Sequence, residues 1–135
     1  MARSPETVEV VPVELPDALR YQRSEARMAV TLPVRLSALS GEVIPGLLAD
    51  LSPTGAMVVV DRRFSPLLPM PVGTSLWIEF YLDDLEVAGA VIRLRGMKER
   101  GRFQLELGCS FVDLSDRART TIRSKVAAAK IVRRR

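Results

Sequence analysis

Hydrophobic and polar residues alternate over most of this chain, and the period of the alternation changes once, near the end. Met28, Val30, Leu32, Val34 and Leu36 interleave with Ala29, Thr31, Pro33, Arg35 and Ser37. A period of two sustained this far predicts a half-buried β-strand. Pro33 within it predicts an edge position or a bulge, because proline cannot donate to a ladder. After a turn at Ser40-Gly41, Val43 to Ala49 predicts a second strand interrupted at Pro45-Gly46, and Gly55 to Val60 a third. Asp61 to Gly73 contains Pro66, Pro69 and Pro71 and reads as a loop. Thr74 to Leu82 predicts a strand with Leu76, Ile78, Phe80 and Leu82 inward and Trp77 on the opposite face. Asp83-Asp84 turns the chain into Leu85 to Arg95, Gly96 to Gly101 reads as a charged hairpin tip, and Arg102 to Val112 closes the set. In that last strand Phe103, Leu105, Leu107, Cys109 and Phe111 share one face. Leu114, Ala118, Ile122, Val126 and Ala129 then follow at spacings of three and four. That is the stripe of an amphipathic helix, with Ser115 or Asp116 as its cap. Short strands with regular turns, closed by one helix, imply an antiparallel sandwich or barrel with the helix packed on it.

Composition and charge refine this picture. At 135 residues, 47% hydrophobic and 27% charged, the chain suits one domain with one core. Residues 1–19 hold Pro5, Pro12 and Pro16 with four acids and predict an extended, mobile arm. The predicted domain covers 20–132, and 133–135 form a basic tail. The net charge of +4 conceals an asymmetry. Eight Lys or Arg and no acid follow Asp116; removing them leaves 12 basic against 16 acidic residues, or −4, for residues 1–116. The high pI therefore belongs to the terminal segment and does not describe a basic nucleic-acid-binding surface over the whole fold. Nucleic acid is accordingly not expected as a partner. The chain opens Met-Ala-Arg-Ser-Pro-Glu without an apolar signal core, has no apolar stretch long enough to span a bilayer, and carries a single cysteine, so a cytoplasmic location is expected.

Absences narrow the chemistry. There is no histidine, the commonest general base and metal ligand. One cysteine cannot build a zinc site, no Gly-rich phosphate loop is present, and neither catalysis nor a cofactor is expected. Cys109 itself reads as a small buried side chain.

Two short motifs flank the first strand pair. Arg23-Ser24-Glu25-Ala26-Arg27 is an R-x-x-x-R, and Asp50-Leu51-Ser52-Pro53-Thr54-Gly55 is a D-x-S-x-x-G. Taken singly, the first is a solvated polar face and the second a tight turn in which Asp and Ser bond local backbone and Gly accepts positive φ. In this order and at these places, they resemble the PilZ domain family. Leu107-Gly108-Cys109-Ser110-Phe111-Val112-Asp113-Leu114-Ser115 is similar to that family's closing strand, where a glycine and then a phenylalanine lead into a terminal helix. The resemblance covers roughly Arg20 to Arg123.

The resemblance implies a six-stranded antiparallel β-barrel with a C-terminal amphipathic helix, and cyclic di-GMP as ligand. It assigns the ligand to Arg23, Arg27, Asp50, Ser52 and Gly55, with Arg20 and Gly108 as additional candidates. Arginine suits such a ligand: a guanidinium forks onto phosphate or onto guanine O6 and N7, and stacks on a purine face. Asp50 would accept from a guanine N–H, Ser52 would donate to phosphate or base, and Gly55 would let the backbone approach closely. Many family members carry further arginine around the first motif. Here Gln22 and Ser24 flank Arg23, which points to one nucleotide per chain. The chain would be a monomer or weak homodimer that relays the signal to an effector protein. On this reading the hinge Arg20–Arg27 is mobile without ligand and ordered by it. Two other readings remain open: a PilZ-like scaffold that contacts proteins without the nucleotide, and a binder of nucleic acid or anionic membrane through the basic helix.

Overall fold

The computed structural model of the chain describes residues 26–133, with side chains to Ala129. Six strands form a closed barrel: β1 (Met28–Ser37), β2 (Val43–Leu51), β3 (Gly55–Asp61), β4 (Ser75–Leu82), β5 (Leu85–Arg100) and β6 (Gln104–Asp113). Their order around the barrel is β1-β2-β3-β6-β5-β4, and every pairing is antiparallel. One helix, α1 (Asp116–Arg133), follows β6. The fold is thus the barrel plus terminal helix that the motifs imply. The predicted arm, and with it Arg20 and Arg23, lies outside the described residues, as do Arg134 and Arg135 of the tail.

The period-two pattern explains the barrel. Val34, Leu36, Ile44, Leu48, Leu51, Val58, Val60, Leu76, Ile78, Phe80, Ile92, Leu94, Leu105 and Leu107 all point inward and are buried. Their alternation partners face out. Pro33 and Pro45 fit because each stands just past a ladder. β1 meets β4 only from Arg35 to Ser37, and β2 meets β3 only from Gly46 onward. Each proline therefore has one strand flank without a partner, where a missing donor costs little. For the same reason β2 runs unbroken through Pro45-Gly46, where the sequence predicts an interruption.

The β5–β6 hairpin differs more. β5 does not end at Arg95; it continues to Arg100, and the turn is confined to residues 101–103. A register shift between Leu94 and Gly96 accommodates Arg95 as a bulge, and beyond it Lys98 faces Glu106 while Arg100 reaches Glu106 at 3.5 Å. Opposite charges across a strand pair support such an extension. Phe103 consequently leaves the inward face and sits in the turn, partly exposed, with the Arg63 guanidinium 3.9 Å from its ring centroid.

α1 is capped by Ser115, whose Oγ accepts from the Ala118 N–H at 3.1 Å. Leu114, Ala118, Ile122 and Val126 are buried against the core and Ala129 partly so. Lys125 Nζ donates to Asp83 in the β4–β5 turn at 2.8 Å, which ties the helix to the barrel end that also carries the β2–β3 turn. No helix among the described residues is long and apolar enough to cross a membrane.

Candidate functional site

The D-x-S-x-x-G segment forms the turn between β2 and β3. Its centre is Ser52, which is buried at 4% exposure. The Ser52 Oγ accepts from the Gly55 N–H at 3.0 Å and the Thr54 N–H at 3.2 Å, and lies 3.2 Å from Thr54 Oγ1. The Ser52 N–H donates to the Gly55 carbonyl at 2.9 Å. The acceptor capacity of the hydroxyl is therefore used inside the turn. Both lone pairs of the oxygen are occupied by these N–H groups, while its O–H has Thr54 Oγ1 at 3.2 Å or the Gly55 carbonyl at 3.4 Å as acceptor.

Gly55 has a different reason from the one the turn suggests. Its φ is not positive. A Cβ at this position would stand 2.5 Å from the Cys109 carbonyl oxygen of β6, so glycine is needed where β3 and β6 come together. The close approach is to the barrel's own backbone. Cys109 beside it is buried, and burial pushes its thiol pKa up to about 12, which makes it an inert packing group.

Asp50 faces outward, since its neighbours on the inward face, Leu48 and Leu51, are fully buried. A bulge in β1 opposite Ala49 and a register shift in β2 between Leu48 and Asp50 turn it to the outer surface. There Arg27 Nη1 reaches Asp50 Oδ2 at 3.4 Å. Arg27 remains half exposed, with 55% of its side chain accessible. The last arginine of the first motif and the first acid of the second, far apart in sequence, are thus brought together. Arg27 thus has an acidic neighbour on the barrel, and β1 begins one residue later. Arg23 and Arg20, the other expected guanidinium groups, lie outside the described residues.

The cross-strand register extends the site sideways. Asp50 pairs with Met57, Met57 with Gly108, and Gly108 with Gly96. This row on the outer face has two rungs without side chains, so Gly108 contributes bare backbone to a flat shelf beside Asp50. Gly55 pairs with Ser110, whose Oγ accepts from Arg95 Nε at 2.8 Å. Arg95 and Ser110 were not among the residues the motifs point to. The signal for them is the bulge, which an alternation count cannot reveal, since it turns Arg95 out beside Ser110.

A model of the PilZ domain matches residues 21–128 of the chain. Among solved structures, the chain is similar to the inhibitor of motility MotI/DgrA of Bacillus subtilis, with TM-score 0.69 and 17% identity over 84% of this chain and 53% of that one. It spans about half the length of that relative. It is also similar to the PilZ domain of Escherichia coli YcgR solved with c-di-GMP, with TM-score 0.65 and 15% identity, covering 84% of this chain and 95% of that one. A third likeness is to the PilZ domain of CeSA from a cellulose-synthesizing bacterium, with TM-score 0.53 and 20% identity over 77% of this chain and 97% of that one. No curated protein matches.

Proposed function

The chain belongs to the PilZ domain family, and on that premise we propose that it is a cyclic di-GMP receptor whose liganded state is read by a partner protein in the cytoplasm. The observation that carries this reading is the meeting of Arg27 and Asp50 at 3.4 Å, which joins the two motifs at one place on the outer surface. A half-exposed guanidinium beside a carboxylate offers a phosphate or a guanine edge both signs of partner at once. Arg23, one helical-turn length earlier in sequence, supplies a second guanidinium from the segment preceding β1. Asp50 accepts from a guanine N–H. Ser52 and Gly55 act by building the turn that aims Asp50, and Gly108 leaves room for a flat ligand to lie against backbone.

In this reading the ligand replaces the single Arg27–Asp50 contact with several contacts that bridge the segment before β1 and the barrel. It thereby stabilises one arrangement of that segment, and a partner that recognises this arrangement is recruited. With Gln22 in place of a further arginine, the receptor takes one nucleotide per chain. Isothermal calorimetry tests the reading: cyclic di-GMP should bind with a molar ratio near one and in clear preference to GMP and GTP. Absence of heat and of any thermal shift with cyclic di-GMP would refute it.

A further inference from the structure

Strand β4 contributes nothing to the row of Asp50, Met57, Gly108 and Gly96, yet its outer face carries the chain's single tryptophan. Leu76, Ile78, Phe80 and Leu82 fill the core, so Trp77, Glu79 and Tyr81 point out. Trp77 is 40% exposed and Tyr81 58%. Between the two rings Glu79 faces Arg35 of β1, with Oε1 3.9 Å from Nη1. On the β5 side Ala88 stands beside Glu79, and Gly89 is an unpaired bulge residue with φ 78°. Nothing bulky rises there. The centre of this face is therefore flat and neutral, with an aromatic ring on either side of one ion pair. Tryptophan, tyrosine and arginine are the residues that most often anchor a protein contact.

The two ends of the face carry opposite charge. At one end Arg93 stands across from Ser75 and points outward, between the buried Ile92 and Leu94. At the other end Glu86 pairs with Tyr81 and accepts from its hydroxyl at 3.3 Å, with Asp84 in the turn beyond. Asp83 in that turn is held by Lys125, which leaves the charge of Asp84 and Glu86 in excess. The Tyr81 pKa is raised, first by the Glu86 charge, as a negative surrounding requires. Ser75 and Tyr81 are six residues apart on β4, or roughly 20 Å. Their midpoint falls at Ile78, between Trp77 and Glu79. A two-fold axis through that midpoint sets the basic end of one copy over the acidic end of the other, and makes every contact twice.

We propose that this face is where two copies of the chain meet, β4 against β4 and antiparallel. Arg93 of each copy faces the partner's Glu86, and Trp77 lies over the partner's Arg35, where a guanidinium meets an aromatic face. Sheets packed face to face keep their strand directions within about 30° of one another, which this arrangement satisfies. Charge decides the occupant. A partner of one sign would meet its own sign at one of the two ends, whereas a second copy meets the opposite sign at both. The outer faces of β1, β4 and β5 span roughly 10 by 20 Å. That is small beside the about 800 Å² per partner of a stable interface, so the pair is weak and forms as concentration rises. The inference does not rest on the receptor reading and needs no nucleotide.

Sedimentation velocity of the full chain over a rising concentration series, without nucleotide, tests this. The apparent mass should climb from one chain toward two. Trp77 is the only tryptophan, so its fluorescence should move to the blue over the same range. Arg93→Glu and Glu86→Arg should each weaken self-association by about tenfold or more, because either reversal sets two like-charge contacts across the axis. Mixed in equal amounts, the two variants should associate again, since each then meets the opposite charge at both ends. That recovery also shows that neither variant has lost its fold. Trp77→Ser, a change on the outer side of β4, should abolish the climb in mass. A wild-type mass of one chain at every concentration would overturn the proposal. So would charge variants that associate as well as wild type, or that stay apart on mixing.

Discussion

Replacing Ser52 with alanine separates two roles that the motif confounds, building the turn and touching the ligand. The hydroxyl is buried and accepts from two backbone N–H groups, of Gly55 and Thr54. Alanine fits the space but accepts nothing. A typical net hydrogen bond contributes about 0.5–1.5 kcal/mol, and a buried donor left without a partner costs about 1–3 kcal/mol. Thr54 is exposed and its N–H can turn to water, whereas Gly55 is only partly exposed. The sum is therefore about 2–3 kcal/mol. For a domain of this size that lowers the unfolding temperature by roughly 8–12 °C. Urea denaturation of Ser52→Ala beside Asp50→Ala is the assay. Asp50→Ala removes only an exposed ion pair, worth about 0–1 kcal/mol, so it should leave stability near wild type and lose the ligand. Ser52→Ala should lose stability, and should lose ligand only as far as the turn loosens. Wild-type stability in Ser52→Ala together with a large loss of affinity would refute the reasoning, because the hydroxyl would then be acting on the ligand.

Other substitutions follow from the same geometry. Gly55→Ala places a Cβ 2.5 Å from the Cys109 carbonyl, which backbone cannot easily yield, and should cost about 1–3 kcal/mol in urea titration. Ile122→Ala empties a fully buried position where α1 meets the barrel and should cost about 2–5 kcal/mol by the same measurement. The Lys125 pKa is raised, first by its hydrogen bond to Asp83. Its stabilisation is therefore fully present below the ordinary lysine pKa of about 10.4 and is lost as pH rises through the folded value. The stability difference between wild type and Lys125→Met should shrink in that alkaline range and be constant below it. The Asp61 carboxyl is held down to about 2 by its side-chain hydrogen bond with Arg63, so its contribution is present above the ordinary value of 3.8 and lost as pH falls toward 2. NMR titration of the Asp61 carboxyl carbon should give a midpoint near 2 in wild type and a higher one in Arg63→Ala, still below the ordinary value because the residue 63 backbone N–H continues to donate to the carboxylate.

Much of the fold was legible because a barrel repeats one physical rule. Wherever a strand has one wet and one dry face, alternation reports it, and the inward residues from Val34 to Leu107 follow. The terminal helix was legible for the corresponding reason, with Ser115 at its cap and Leu114, Ala118, Ile122 and Val126 on one stripe. What alternation cannot show is where pairing stops. Pro45 looks like a break until β3 is seen to begin its pairing at Gly46. Gly96 looks like a hairpin tip, although the bulge at Arg95 and the charges facing Glu106 carry β5 four residues further. Phe103 fits the inward period of β6 but stands in the turn that this extension creates.

The candidate site divides in the same way. Arg27, Asp50, Ser52 and Gly55 carry a motif and could be named from sequence, but the motif does not distinguish their tasks. Ser52 turns inward to hold the turn, and Gly55 makes way for β6. Arg95 belongs to no motif, and the closing-strand stretch that contains Ser110 does not single that residue out. They come together only through the β2–β3–β6–β5 register, which is long-range information that a local pattern does not contain.

The most direct test of the central claim is calorimetric titration of cyclic di-GMP into wild type and Arg27→Ala, with the unfolding temperature of each measured alongside. Removal of one charge-assisted contact costs about 1.5–3 kcal/mol, or roughly tenfold to a hundredfold in affinity. Arg27 is largely exposed and precedes β1, so the variant should keep its fold. The account predicts binding near one nucleotide per chain in wild type and a loss of about that size in Arg27→Ala at unchanged stability. Equal affinity in the two proteins, or no binding in wild type, would contradict it.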